Sequence, residues 1–171
     1  MNYVPAVITR YDVVVQGIPL GDSIVEVSHP PIKEKTRDTD PPGSSLPKKI
    51  YLGKYEEMSL GLTVNEPVTL LFDKFGLGSG DELSVIVAGA GKLNGPDGLV
   101  VPFWINYKGK IEERDFGTWK DVADIEFKFS LNVTYVKIRV AAKEVFFTDG
   151  KVVRENEKDK VSDVMAASLN F

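Results

Sequence analysis

The sequence predicts a mainly β protein built to be joined to neighbours, on three observations. From Ile125 to Tyr135 the chain alternates without a fault: Ile125, Phe127, Phe129, Leu131, Val133 and Tyr135 are apolar, and the residues between them are polar. A period of two is a strand with one dry face. At Val136 the phase slips, because Val136, Ile138 and Val140 become the apolar members. A bulge or sharp bend near Tyr135 lets one strand serve both its own core and a surface beyond it. The third observation is that most other apolar runs are short and end at glycine or proline, as strands between turns do.

Taken in order, Tyr11–Gln16 and Ser23–Ser28 read as two strands of a hairpin across Gly17–Gly21. His29–Lys49 follows, rich in proline and charge and without a core-forming pattern. Its length exceeds the ~12–15 residues usual for an irregular connection, so it is expected to be either disordered alone or, the favoured reading, ordered by a partner. Ile50–Leu52 and Met58–Val64 read as short strands. In 65–76, Val68, Leu71, Phe72 and Phe75 form one apolar stripe at helical spacing, with Asn65 able to cap, Pro67 in the first turn and Gly76 able to terminate. A turn at Gly78–Gly80 leads to a strand at Leu83–Ala88. A glycine-rich turn through Gly98 leads to Leu99–Tyr107, and Ile111–Phe116 follows beyond Gly109. After the long alternating strand come Glu144–Thr148, a turn at Asp149–Gly150, and a terminal helix over Asp159–Leu169 with Val161, Val164, Met165 and Leu169 inward.

At 171 residues and 43% hydrophobic the chain is expected to form a single domain over 1–171. A net charge of -4 disfavours binding to nucleic acid backbones. With no cysteine there are no disulfides, thiolate metal sites or cysteine nucleophiles, which suits assembly in a reducing cytoplasm. The first residues lack a basic, then long apolar, leader, and no run approaches ~18 apolar residues. Neither secretion by a signal peptide nor a membrane span is expected.

Chemistry is sparse. His29, the single histidine, has no acid at triad or metal-ligand spacing. Gly89–Leu93 fails as a phosphate loop, with Ile86 where its first glycine belongs and Leu93 where Ser or Thr is needed. Glu112, Glu113, Asp115 and Glu126 contain the acids that glycoside hydrolysis would use, but adjacent Glu112 and Glu113 point to opposite faces of a strand and read as solvated surface. Trp104 and Trp119 could serve as sugar platforms in a carbohydrate-binding sandwich. Asp38 and Asp40 are too few for a calcium loop. No catalytic residue, cofactor or metal is expected, and the chain is not read as an enzyme.

Several segments in order resemble the phage tail tube protein family of contractile-tailed phages and R-type pyocins. The N-terminal part is similar in Val13–Gly17, Leu20-Gly21, Ile24–Val27, His29–Lys35, Leu52-Gly53 and Glu57-Met58. The C-terminal part is similar in Gly109–Lys120, with Asp115, Gly117, Trp119 and Lys120 carrying an Asp-x-Gly-x-Trp-Lys turn, and then in Ala123–Tyr135, Lys137-Ile138 and Lys143–Val145. The resemblance implies an antiparallel β-sandwich or flattened barrel with one flanking α-helix, whose strands join between subunits into a ring. It implies a structural protein that self-assembles into stacked hexameric rings, the inner tube of a contractile tail, delivering DNA or effectors inside a sheath. The implied partners are further copies of the chain, the tail sheath protein, a tape-measure protein in the lumen, baseplate and tail terminator proteins, and DNA passing without specific binding. No membrane is involved. The implied place is the virion tail or a pyocin-like particle, assembled in the bacterial host cytoplasm.

On this reading the Pro-rich charged loop at 30–49 reaches a neighbour through Lys33, Lys35, Arg37, Asp38, Asp40, Lys48 and Lys49, and 150–171 is a C-terminal extension. Phe129, Leu131, Val133, Tyr135, Val136 and Ile138 are the wall strand and its bend, and Glu112 and Glu113 are sheath-facing candidates. The lumen is expected to be acidic or neutral, repelling phosphate. A tube protein of a contractile injection or type VI-like secretion system shares this architecture and stands as the alternative.

Overall fold

The computed structural model describes residues 6–73, 82–93 and 98–159. Its strands are β1 Ala6–Val15, β2 Ile18–Pro19, β3 Ile24–Ser28, β4 Glu34–Thr39, β5 Lys48–Tyr55, β6 Met58–Val64, β7 Leu83–Leu93, β8 Val100–Asp115, β9 Phe127–Val140, β10 Lys143–Thr148, β11 Val153–Glu155 and β12 Lys158–Asp159. Helix in the described residues is limited to α1, Thr69–Asp73, and a 3-10 turn at Gly21–Ser23. The predicted mainly β, antiparallel class is the observed one.

One branched sheet makes two layers. The wide layer runs β2-β1-β7-β8-β9-β10-β11-β12, and the narrow layer runs β3-β6-β9-β8. The branch lies within β9: its first half pairs with β6 (Met58↔Val133 to Val64↔Phe127), and its second half pairs on the same edge with β10 (Thr148↔Val136 to Lys143↔Val140). Between those halves the β8–β9 register steps from Lys108↔Tyr135 to Gly109↔Val133, so Thr134 is an extra residue. That bulge is the phase slip read from the sequence: Phe127, Phe129 and Leu131 are buried before it, and Val136 after it.

Gly109 makes the bend possible. A Cβ there would stand 2.1 Å from the Asn132 carbonyl oxygen, a distance no side chain tolerates. The core fills the space between the layers. The wide layer contributes rows such as Val15–Val85–Tyr107–Val136, and the narrow layer Ile111–Leu131–Leu60 and Phe127–Val64. Leu71 of α1 is completely buried against them.

Several expectations change. β1 and β3 are not a hairpin: β1 pairs with β2 and β7, whereas β3 pairs with β6, because the 3-10 turn carries the chain to the other layer. The Pro-rich segment contains an antiparallel pair, β4–β5, in register Thr36↔Tyr51 to Thr39↔Lys48. Neither strand has a buried residue, so apolar patterning could not announce the pair. The two strands expected either side of Gly109 are one, β8, and β7 continues past Ala88. The helix begins at Thr69 rather than Asn65. The Gly78–Gly80 turn, the helix end at Gly76 and the terminal helix beyond Asp159 lie outside the described residues.

Candidate assembly surfaces

The outward faces of the two layers differ in chemistry. On the narrow layer the residues turned away from the core are small and polar: Ser28, Ser59, Gly61, Thr63, Ser130 and Asn132. Around them stand Glu26, Glu57, Glu112, Glu113 and Asp115, against Lys110 and Lys128. Ser59 and Ser130 hydroxyls lie 2.6 Å apart, Ser59 Oγ donates to Glu112 Oε1 at 3.4 Å, and Asn132 Nδ2 donates to Glu57 Oε1 at 3.1 Å. The β8 register jumps between Ile111 and Glu113, a second bulge with Glu112 as the extra residue. Glu112 and Glu113 were expected on opposite faces; the bulge turns both to the same exposed side.

The wide layer's outward face is aromatic and basic. Arg10, Lys108, Lys137, Arg139 and Arg154 stand there against Asp12 and Glu144. Arg139 lies over the Trp104 ring at 5.6 Å, Lys108 over Tyr135 at 4.8 Å and Arg154 over Phe147 at 4.2 Å. Glu144 is held by Arg154 at 3.1 Å and Lys137 at 3.9 Å. Such cation–ring contacts keep long side chains in place on an open sheet. Trp104 is therefore half-buried under an arginine, not an open sugar platform.

The predicted wall residues divide between these surfaces. Phe129, Leu131 and Val136 belong to the subunit's own core, and Val133 and Ile138 pack against it. Tyr135 alone of that set turns outward, edge-on to Phe147 at 5.4 Å. Sequence reasoning took Gly109 as a break between two strands rather than as the bend within one; an isolated glycine inside an otherwise strand-like run was the available signal.

The hairpin β4–β5 carries all the predicted contact residues except Lys33, which precedes it, with Asp40 in the connection between its strands, and all seven are exposed. Asp38 stands opposite Lys49 in register. Leu46, Ile50, Tyr51 and Leu52 are also exposed on it, apolar residues with nothing covering them among the described residues. Its base is fixed to the body: Tyr55 donates to Glu155 Oε1 at 2.6 Å and meets Phe146 edge-on at 5.4 Å. Burial, together with Glu155, raises the Tyr55 phenol.

Two further features are a cleft between the layers and a loop at the end of the narrow one. An apolar cleft of about 410 Å³ opens between β3 and the wide layer, lined by Ile8, Tyr11, Val27, Gly89, Gly91 and Phe103 among others. At its inner end His29 Nδ1 lies 2.8 Å from the Tyr107 hydroxyl. Burial lowers the imidazole and raises the phenol. A phenol that keeps its proton thus faces an imidazole biased toward its neutral form.

The second feature is the loop after β8. Gly117 N–H donates to Asp115 Oδ1 at 2.8 Å, and Trp119 Nε1 donates to the Phe116 carbonyl at 2.9 Å. Gly117 has φ +71, and a Cβ on it would meet the Glu126 carbonyl oxygen at 2.7 Å. Asp, Gly and Trp at this spacing thus fold the turn upon itself.

Among the described residues no group of acids and histidine is placed to hold a metal, and no helix is long and apolar enough to cross a membrane. A search of curated proteins finds no match. Among solved structures the chain is similar to the sheath/tube terminator of PVC, an extracellular contractile injection system, in its extended state: TM-score 0.59, 13% identity, 81% of this chain and 99% of that one. It is also similar to a crystal structure of an Hcp protein, at TM-score 0.40, 16% identity, 79% of this chain and 93% of that one. The two-layer antiparallel fold and the match of residues 5–166 to the family model agree: this chain belongs to the phage tail tube protein FII family, a family of structural tail components rather than enzymes.

Proposed function

We propose that this tail tube protein closes hexameric rings through the narrow layer, and that the rings stack into the inner tube of a contractile tail. The observation that carries this reading is the pair of open edges on one four-stranded layer. Among the described residues β3 pairs only with β6. At the other side β7 stops at Leu83, opposite Gly109, so Lys110–Glu113 has β9 on one side and no described strand on the other. β3, β6, β9 and β8 alternate in direction. An even number of alternating strands lets β3 of one copy meet β8 of the next antiparallel, with every copy related by rotation alone. Closure removes both edges, which otherwise invite aggregation. Six such layers span roughly 115 Å of circumference at ~4.8 Å per strand, wide enough for an aqueous channel.

The small, polar, acidic outward face of the narrow layer then lines the lumen, where it passes DNA or an effector without gripping phosphate. In this arrangement Glu112 and Glu113, expected from the sequence to face the sheath, face the lumen instead, because they share the narrow layer's outward face with Ser59 and Ser130, and the aromatic, basic face of the wide layer is the one offered to the sheath. The exposed β4–β5 hairpin, with Lys33, Lys35, Arg37, Asp38, Asp40, Lys48 and Lys49, reaches the adjacent ring. Stacking does not close on itself and so extends the tube. The lumen also holds the tape-measure protein, the tube's ends meet baseplate and terminator proteins, and the particle is assembled in the host cytoplasm.

Electron microscopy of the purified protein tests the reading. Hollow tubes or six-fold rings are expected, and a variant lacking residues 33–49 is expected to remain folded without forming tubes. A wild-type protein that stays monomeric at all concentrations overturns the ring, and full tubes from the deletion overturn the role of the hairpin.

A further inference from the structure

The Asp115–Lys120 turn is the motif the ring does not absorb. It is held rigidly, yet what it displays is apolar and uncovered: Trp119 is 68% exposed and Val122 is 101% exposed. Val122 also has φ +58, a left-handed conformation costly for a β-branched residue. A strained, pre-ordered loop that presents an indole to water gains nothing for the isolated subunit. At the other edge of the narrow layer the cleft between β3 and the wide layer is apolar, and no side chain of the described residues fills it. Gly89 and Gly91 in its lining make room for the cleft's own aromatic walls, since a Cβ on them would stand 3.2 Å from Tyr11 Cβ and 2.8 Å from the Phe103 ring.

We infer that Trp119 of one copy inserts into the Ile8–Tyr11–Phe103 cleft of the next copy in the ring. This rests on the ring reading above and assigns its side-chain lock. Antiparallel pairing of Lys110–Glu113 with a neighbour's β3 carries the chain beyond Asp115 toward the Ile24–Val25 end of that strand. The cleft wall lies there, since Tyr11 Oη donates to the Val25 carbonyl at 3.3 Å. Glu26 on the cleft rim faces the approach, and Lys120 beside the indole complements it. A tryptophan held by its own loop loses little freedom on docking, and an indole entering a dry pocket is the usual form of a binding hot spot.

The test uses the full chain. In a Trp104→Phe background Trp119 is the sole tryptophan; its emission is expected to move to shorter wavelength as the protein assembles. Trp119→Ala is expected to keep the subunit's circular dichroism and to raise the concentration needed for assembly by about 30-fold or more. Because the chain has no cysteine, mixing Lys120→Cys with Ile8→Cys under oxidation is expected to give a disulfide-linked heterodimer, and Ile50→Cys with Ile8→Cys is not. If tubes form while Trp119→Ala assembles at the wild-type concentration and the emission stays fixed, the lock is overturned and the ring stands. A cross-link from Ile50→Cys instead gives the cleft to the hairpin and overturns the assignment. If the wild-type protein never assembles, the ring reading falls and takes the lock with it.

Discussion

The two outward faces of this subunit come from strands shared by both layers, yet they are chemically opposed. β8 and β9 run through both layers, and the residues they turn outward change character at the bend. Before it β9 offers Lys128, Ser130 and Asn132 beside the glutamates of β8; after it come Tyr135, Lys137 and Arg139 beside Lys108 and Trp104. A continuous strand can do this because one extra residue, Thr134, exchanges its faces while the core stays apolar on both sides. Charge separation across the molecule is thus a consequence of the bulge, and the net charge of -4 conceals it.

The largest effect is expected at the bend itself. Gly109→Ala puts a Cβ against a backbone carbonyl that cannot step aside, and is expected to cost about 3 kcal/mol or more in urea unfolding. A variant as stable as wild type would show that the two layers do not depend on this close approach.

A smaller effect separates the faces by charge. Glu112→Lys with Glu113→Lys, assembled into tubes, is expected to make the tube retain DNA fragments at low salt and release them as salt rises. Lys108→Glu with Arg139→Glu is expected to leave DNA passage unchanged. The reverse result would exchange lumen and exterior.

The smallest effect is at the contact joining the layers, His29 with Tyr107. Burial holds the folded imidazole below its ordinary 6.5, so the unfolded chain takes a proton more readily than the folded chain does. Stability from this group is complete above about pH 6.5 and declines as pH falls below it. Melting temperatures at pH 7.5 and 5 are expected to differ less in His29→Gln than in wild type. An equal difference would mean that the imidazole titrates freely.

How much of this was legible depended on burial. Phe127, Phe129, Leu131 and Val136 showed the strand and its slip because a core face writes a period of two into the chain. The β4–β5 hairpin wrote nothing, since both its faces are exposed within the subunit and its pairing uses only backbone. The expected β1–β3 hairpin failed because proximity in sequence does not say which layer a strand joins. Glu112 and Glu113 were placed on opposite faces by strand alternation, which a bulge suspends.

By itself the sequence determined the β class, the alternating strand, the slip near Tyr135 and the family likeness, since each rests on residue order and local period. The tertiary structure alone decided that the slip splits one edge of β9 between two layers, that Gly109 permits it, and that acids gather on one face while arginines and rings gather on the other. Those outcomes depend on register between strands distant in the chain, and register is settled by packing rather than by any single segment.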